Sequence, residues 1–339
     1  MNAPTILIDV SNLVFRAGFA FQHLSNDGVK TGALYGVLKT IYELRQKVST
    51  RMLVVWDHGV PIPGAAKPHN WRDDVVKQYK ATRQHGGEGR EIIAQMPLIY
   101  KALCLLGYSS VSILGLEADD LIGILAQEIA GNVLIFSTDK DFYQLLNPRV
   151  NVLVPTQQKG EYHQIDMHTV LRDFGVPVNL WPQYLALGGD KSDNIKLPGM
   201  GPKTAARLIQ AGVDLNKRPE QQPLAFWAKY GPVWYKIQQA YYAAHIPTRW
   251  EDPRITAYVE KAGGAPRYRI EQATGNKDGF IRLLAEHNMA SLLSVRHGFF
   301  GTHTNHTNTN TNTNNGASQC KTNTNNTPPP IRHRQKPLV

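Results

Sequence analysis

Gly115-Leu116-Glu117-Ala118-Asp119-Asp120-Leu121-Ile122-Gly123 joins two different hydrophobic patterns. Upstream, Tyr108 to Leu114 reads as a strand; downstream, Leu121, Ile122, Leu125 and Ile129 recur at helical spacing. Strand, acidic turn and helix make one βα step, with its three carboxylates in the first helical turn. The positive end of a helix dipole explains one such acid, typically for about 0.3–1 kcal/mol. Three crowded acids repel one another, which makes more sense if a cation sits among them.

The same grammar recurs on either side. Val133-Leu134-Ile135-Phe136-Ser137-Thr138-Asp139-Lys140-Asp141 is an apolar run ending in acids, as are Ile6-Leu7-Ile8-Asp9 and Leu53-Val54-Val55-Trp56-Asp57. Gly188-Gly189-Asp190-Lys191-Ser192-Asp193-Asn194 adds two more acids. Continuous apolar strands fit a parallel sheet buried on both faces, where ligands bind beyond the carboxyl ends. Asp9, Asp57, Glu117, Asp119, Asp120, Asp139, Asp141, Asp190 and Asp193 are therefore candidates for one metal-binding rim. Singly, each is more often a cap or a solvated charge; the joint pattern carries the inference.

The composition suits such a molecule. The 339 residues suffice for two domains or one large one, and 42% hydrophobic content supports a substantial core. No apolar stretch approaches the roughly 20 residues of a membrane span. Met1-Asn2-Ala3-Pro4 lacks the basic and apolar regions of a secretory signal. Cys104 and Cys320 are the only cysteines, too few for a disulfide framework, so an intracellular, cytoplasmic setting is expected. The net charge of +10 favours a polyanionic partner, and acids gathered at one rim leave the remaining surface more basic still.

Taken in order, Thr5 to Val10 is expected to be the central strand, with Ser11-Asn12 turning into a helix from near Leu13. Thr31 to Val48 has helical spacing and Arg51 to Asp57 reads as a strand. Pro61, Pro63, Gly64 and Pro68 then punctuate a loop. Residues 67–90 follow with six Lys or Arg against three acids and interleaved aromatics. Lys80 and Arg83, three apart, share a face if this run is helical. Gly86-Gly87-Glu88-Gly89 is expected to loosen its top. Ile92 to Leu106 is helical, with Pro97 kinking or restarting it. The aromatics Trp227, Trp234, Tyr235, Tyr241 and Tyr242 have the spacing of helix core, and Phe280 to Leu293 reads as a closing helix. Beyond Phe300 an Asn/Thr repeat, then Pro328-Pro329-Pro330 and a basic end, have too little apolar surface to offset ordering entropy.

Five stretches in order resemble the 5′-nuclease family of flap endonucleases and the 5′→3′ exonuclease domains of bacterial DNA polymerases. They are Ile8-Asp9-Val10-Ser11-Asn12, Trp56-Asp57, Glu117-Ala118-Asp119-Asp120, Thr138-Asp139-Lys140-Asp141, and Gly189-Asp190-Lys191-Ser192-Asp193-Asn194. The last continues into Leu197-Pro198-Gly199-Met200-Gly201-Pro202-Lys203-Thr204-Ala205. With weaker matches the resemblance spans roughly residues 5 to 298. It implies an α/β, PIN-like fold: a central, mostly parallel sheet flanked by helices, a helical arch segment at about 61–96, and a C-terminal helix–three-turn–helix subdomain. The implied boundaries are 1–180 for the nuclease domain and 181–300 for the DNA-binding region, with a disordered tail at 301–339.

The resemblance also implies roles. Asp9, Asp57, Glu117 and Asp119 would serve one Mg²⁺ and Asp139, Asp141, Asp190 and Asp193 a second, with Asp120 in support and Mn²⁺ able to substitute. Lys80 and Arg83 would engage the scissile phosphate, and Arg16 a phosphate near the cut. Tyr79 belongs to the same DNA-binding set, as do Gly199, Gly201, Lys203 and Thr204 of the hairpin. The stretch from Asn194 to Gly201 is about one residue shorter than the common form, which counts against K⁺ there. The implied partner is DNA with 5′ ends, flaps or nicks, with RNA-primed duplex a second class, acted on by a monomer. Two alternatives remain: a PIN-like ribonuclease, and a branched-DNA binder with impaired catalysis.

Overall fold

The apolar runs ending in aspartate form the middle of a seven-stranded sheet. The computed structural model describes residues 3–58, 68–76, 79–80, 86–158, 160–189, 200–256, 269–271 and 273–300. β1 (Thr5–Asp9) and α1 (Val10–Ala20) come first, then a hairpin of β2 (Ser25–Asn26) and β3 (Val29–Lys30), then α2 (Gly32–Lys47) and β4 (Met52–Val55). Next come α3 (Trp71–Val75), α4 (Gly87–Ala94), α5 (Met96–Leu105), β5 (Ser109–Ser112) and α6 (Ala118–Glu128). β6 (Val133–Phe136), β7 (Val150–Pro155) and β8 (Tyr162–Ile165) complete one half of the sheet. Helices α7 (Met167–Phe174), α8 (Trp181–Gly188), α9 (Pro202–Gln210), α10 (Leu224–Tyr230) and α11 (Trp234–Ala244) follow. β9 (Arg269–Glu271) and the segments Lys277–Glu286 and Ala290–Ser294 come last.

The strand order is β8-β7-β6-β1-β4-β5-β9. The five central strands are parallel, and β8 and β9 pair antiparallel at the edges. All five residues of β1 are buried. Alternate side chains enter different cores, as a pleated strand requires: Ile6 and Ile8 pack with α1, α2 and α5, and Leu7 packs with α6. Helices on both faces are why the strands are continuously apolar rather than alternating. Asp9 pairs with Val55, and Ile8 with both Val54 and Phe136. This register brings Asp9, Asp57 and Asp139 to the same end of the sheet.

Several local expectations are corrected. Ser11-Asn12 does not turn into α1: the helix starts at Val10 and Asp9 caps it, its Oδ1 accepting from the Asn12 N–H at 3.1 Å. Gly87-Glu88-Gly89 is helical despite its glycines, since α4 begins at Gly87. The segment from Ile92 to Leu106 is restarted near Pro97, as α4 ends at Ala94 and α5 begins at Met96. In the break, Gln95 Oε1 accepts from the N–H groups of Ala33 and Leu34 at 3.0 and 3.2 Å, satisfying the otherwise uncapped start of α2. The closing segment is two helices, parted where Asn288 takes a φ of +56°. Tyr235 is 73% exposed and Tyr242 47%, so these aromatics are not core. No helix among the described residues is long and apolar enough to cross a membrane.

Helix α6 lies close against the chain at Ile246-Pro247. A Cβ on Gly123 would stand 2.3 Å from the Pro247 carbonyl oxygen and 2.4 Å from Ile246 Cγ2. Because the nearer obstacle is backbone, Gly123→Ala is expected to lower stability by about 1–3 kcal/mol, the usual range for overpacking. Urea unfolding monitored by fluorescence checks this.

Candidate active site

Three strand ends and one helix start supply the acids. Asp9 closes β1, its Oδ2 accepting from Ser137 Oγ at 2.9 Å. Asn12 Oδ1 accepts from the Thr138 N–H and hydroxyl, each at 3.1 Å, which ties α1 to the end of β6. Asp139 Oδ1 accepts from the Asp141 N–H at 2.9 Å and so caps the short helical turn Lys140–Leu145. Asp57 Oδ1 accepts from the Ala118 N–H at 2.7 Å, fixing the start of α6 to the end of β4. Burial, the facing charge of Asp57 and then that of Asp139 push the Asp9 carboxyl up to about 7, although the Asn12 N–H pulls it down.

The α6 acids sit in a different environment, filled by cations from the α3 region. Arg72, 2% exposed, donates to Glu117 Oε2 at 3.2 Å, Asp119 Oδ2 at 2.9 Å and Asp120 Oδ2 at 3.1 Å. Lys80 Nζ lies 2.9 and 3.0 Å from the two Glu117 oxygens, and Tyr79 OH donates to Oε2 at 3.1 Å. His58 Nε2 is 3.7 Å from Glu117 Oε1. Burial raises the Glu117 carboxyl, but Lys80 and Arg72 outweigh it and hold it below the usual range. Burial keeps Asp119 and Asp120 above that range despite Arg72. The guanidinium itself stays charged, because Asp119 and Asp120 outweigh its own burial.

The structure therefore brings together Asp9, Asp57 and Asp139 as one group, and Glu117, Asp119 and Asp120 with Tyr79 and Lys80 as another. Among the described residues, no three such side chains converge closely enough to hold a metal ion. Asp190, Asp193, Gly199 and Arg83 lie outside the described residues, as does the tail from Gly301. Lys80 takes a φ of +54°, so the expected helical face shared with Arg83 does not run through it. Arg16 stacks over Phe136 at 5.9 Å and lines a separate cavity of about 130 Å³ with Lys39, Glu43 and Tyr162. Gly201 precedes α9, Pro202 opens it, and Lys203 is exposed in its first turn with Thr204 beside it.

Sequence reasoning passed over Arg72, Asn12 and Ser137. Arg72 had one usable signal: Asn70 and Asp73 form a capping box that fixes where α3 begins, and so which side chains face inward.

Comparison with known proteins gives consistent results. The family described as 5′-3′ exonuclease, N-terminal resolvase-like domain, matches residues 4–175. DNA polymerase I of Deinococcus radiodurans is 34% identical over 217 residues, covering 62% of this chain and 21% of that one. The chain thus corresponds to about a fifth of that polymerase. The 5′-3′ exonuclease of Aquifex aeolicus is 34% identical over 209 residues, covering 60% of this chain and 68% of its own. In fold, the chain is similar to the bacteriophage T5 flap endonuclease, solved with DNA and metal ions. The TM-score is 0.59 at 18% identity, over 84% of this chain and 99% of that one.

Proposed function

The chain belongs to the 5′-3′ exonuclease family, and on that premise we propose that it is a divalent-metal-dependent 5′→3′ exonuclease and 5′-flap endonuclease. It would hydrolyse DNA phosphodiester bonds by a two-metal mechanism in cytoplasmic replication or repair. The observation that supports this is the grouping of Asp9, Asp57 and Asp139 at one end of the parallel strands, where burial and the facing Asp57 and Asp139 carboxylates push Asp9 up to about 7. An all-oxygen donor set suits Mg²⁺, with Mn²⁺ as a substitute. Asp9, Asp57, Asp139 and Asp141, with Asp190 and Asp193, would hold the ions, and Glu117 and Asp119 would complete the set. When bound, the metal supplies an activated water and neutralises charge on the attacked phosphodiester.

The chain's own residues do the rest. Lys80 already rests on an anion, Glu117, and can exchange that carboxylate for a phosphate oxygen without losing a charge partner. Tyr79 fixes the Glu117 carboxylate from the other side. Arg83 would join Lys80 on the same phosphate. Gly201, lacking a side chain, lets a phosphate approach the first N–H groups of α9, where Lys203 and Thr204 add a charge and a hydroxyl. Lys203→Ala is expected to weaken DNA binding and lower the slope of log affinity against log salt by about one. Titrations at several salt concentrations measure it.

A second reading, a branched-DNA binder with impaired catalysis, is favoured by one observation: Arg72 and Lys80 already engage Glu117, Asp119 and Asp120. The deciding experiment uses 5′-flap, nicked and single-stranded DNA, with matched RNA, in Mg²⁺ and in EDTA. Metal-dependent cleavage near the flap junction supports the nuclease. Tight flap binding without cleavage supports the binder, and preference for RNA would move the assignment to a ribonuclease.

A further inference from the structure

Arg72 is an arginine almost removed from water, and four of its five N–H groups donate hydrogen bonds. Its Nε donates to the Ala243 carbonyl at 3.2 Å. Its Nη1 reaches Glu117 and Asp120, and its Nη2 reaches Asp119 and Asp120, the last pair at 3.0 Å. One planar fork thus spans three carboxylates, which a lysine's point charge does not do. Asp120 is 0% exposed and accepts from Trp71 Nε1, Arg72 and the Glu117 N–H. Its oxygens are turned to N–H donors rather than to the rim.

The guanidinium is also locked. It stacks 4.3 Å from the Trp71 ring, whose ring also lies under Arg254 at 4.8 Å and edge-on to Tyr242. Gln239 Nε2 donates to the Val75 carbonyl at 2.8 Å, holding α3 on α11. Arg72 cannot swing away without parting these helices.

We infer that Arg72 is the built-in counter-cation of the α6 acids. It is a positioning residue that holds Glu117, Asp119 and Asp120 in a folded, metal-free protein, with Asp120 as its anchor rather than a metal ligand. Glu117 and Asp119, which it shares with the rim, keep the carboxylate orientation a divalent cation meets. Without Arg72, buried Glu117 and Asp120 and half-buried Asp119 lose the cation they share, and leaving buried charge uncompensated is strongly destabilising. Lys80 still pairs with Glu117, and a divalent cation at the rim would supply further positive charge to Glu117 and Asp119.

The inference rests on the rim being a cation site, and thermal unfolding without DNA separates the two. Wild type, Arg72→Met and Arg72→Lys are melted in EDTA and in millimolar Mg²⁺, with Mg²⁺ binding to wild type followed by calorimetry. Arg72→Met is expected to melt on the order of 10 °C below wild type in EDTA and to recover at least half of that loss in Mg²⁺. Arg72→Lys keeps the charge and is expected to melt between the two, with little added Mg²⁺ dependence. Equal losses for Arg72→Met with and without Mg²⁺, or no loss, would overturn the inference. Should Arg72→Met not fold, an Arg72→Lys protein that depends on Mg²⁺ to fold overturns it, and one that melts independently of Mg²⁺ supports it. If calorimetry finds no Mg²⁺ binding to wild type, the cation-site reading fails first.

Discussion

Asp9→Asn is expected to stabilise the metal-free protein at neutral pH while removing DNA cleavage. Burial first, then the facing charges of Asp57 and Asp139, raise the Asp9 carboxyl from the ordinary 3.8 to about 7. The folded state therefore holds a proton that the unfolded state releases. Stability from this group is fully present below pH 3.8, falls as pH rises, and is lost above about 7. At pH 8 the charged form carries a penalty on the order of 4 kcal/mol, at about 1.36 kcal/mol per pKa unit. Asparagine removes the penalty but keeps the cap, since its side-chain oxygen can accept the same Asn12 N–H. Melts in EDTA at pH 5 and pH 8 check this: the gain of the variant over wild type should be larger at pH 8 than at pH 5, and Mg²⁺ should reverse the order. A variant less stable than wild type at pH 8 in EDTA would show that the carboxylates do not crowd one another.

Asp139→Asn is expected to lower cleavage by at least on the order of 100-fold and to leave DNA affinity near wild type. Its structural duty is small: Asp139 is exposed and caps a short turn through the Asp141 N–H, which asparagine can also do. Its chemical duty is the charge. On the proposed two-metal reading, losing one of the acids that would hold the ions forfeits several kcal/mol of transition-state stabilisation, and each 1.4 kcal/mol or so is tenfold in rate. The residues proposed to hold DNA are cations and N–H groups elsewhere, so binding is expected to survive the change or strengthen slightly as one negative charge leaves. Single-turnover cleavage of a labelled flap, beside equilibrium binding in Ca²⁺, separates the two effects. Near-wild-type turnover would remove Asp139 from the metal set.

The layering was legible because one physical rule governs it. Ile6–Asp9, Leu53–Asp57 and Val133–Asp139 each show an apolar run with an acid just past its end, and parallel register then needs no further information. Arg72 was not legible in the same way. In a run with six basic residues a solvated face is the ordinary meaning, and burial of one of them depends on partners at Glu117, Asp120 and Ala243 that lie far away in sequence. The helical face expected for Lys80 and Arg83 was not legible for a local reason: a three-residue spacing implies a shared face only on a helix, and Lys80 has left-handed backbone. Tyr235 and Tyr242 carry core-like spacing on α11, but the neighbours that would bury them are set by tertiary packing.

The pairing of β9 with β5, Val111 opposite Ile270, has a consequence during synthesis. A chain leaving the ribosome can assemble β1, β4, β5 and β6 long before residues 269–271 exist. Between Ser112 and Arg269 lie roughly 160 residues, or about 8–30 s at the usual 5–20 residues per second. Through that interval the outer edge of β5 offers unpaired backbone groups to any other strand, including the same edge on a neighbouring nascent copy. The vulnerable moment in the life of this protein is thus its translation, and what ends it is the arrival of three residues near the far end of the fold.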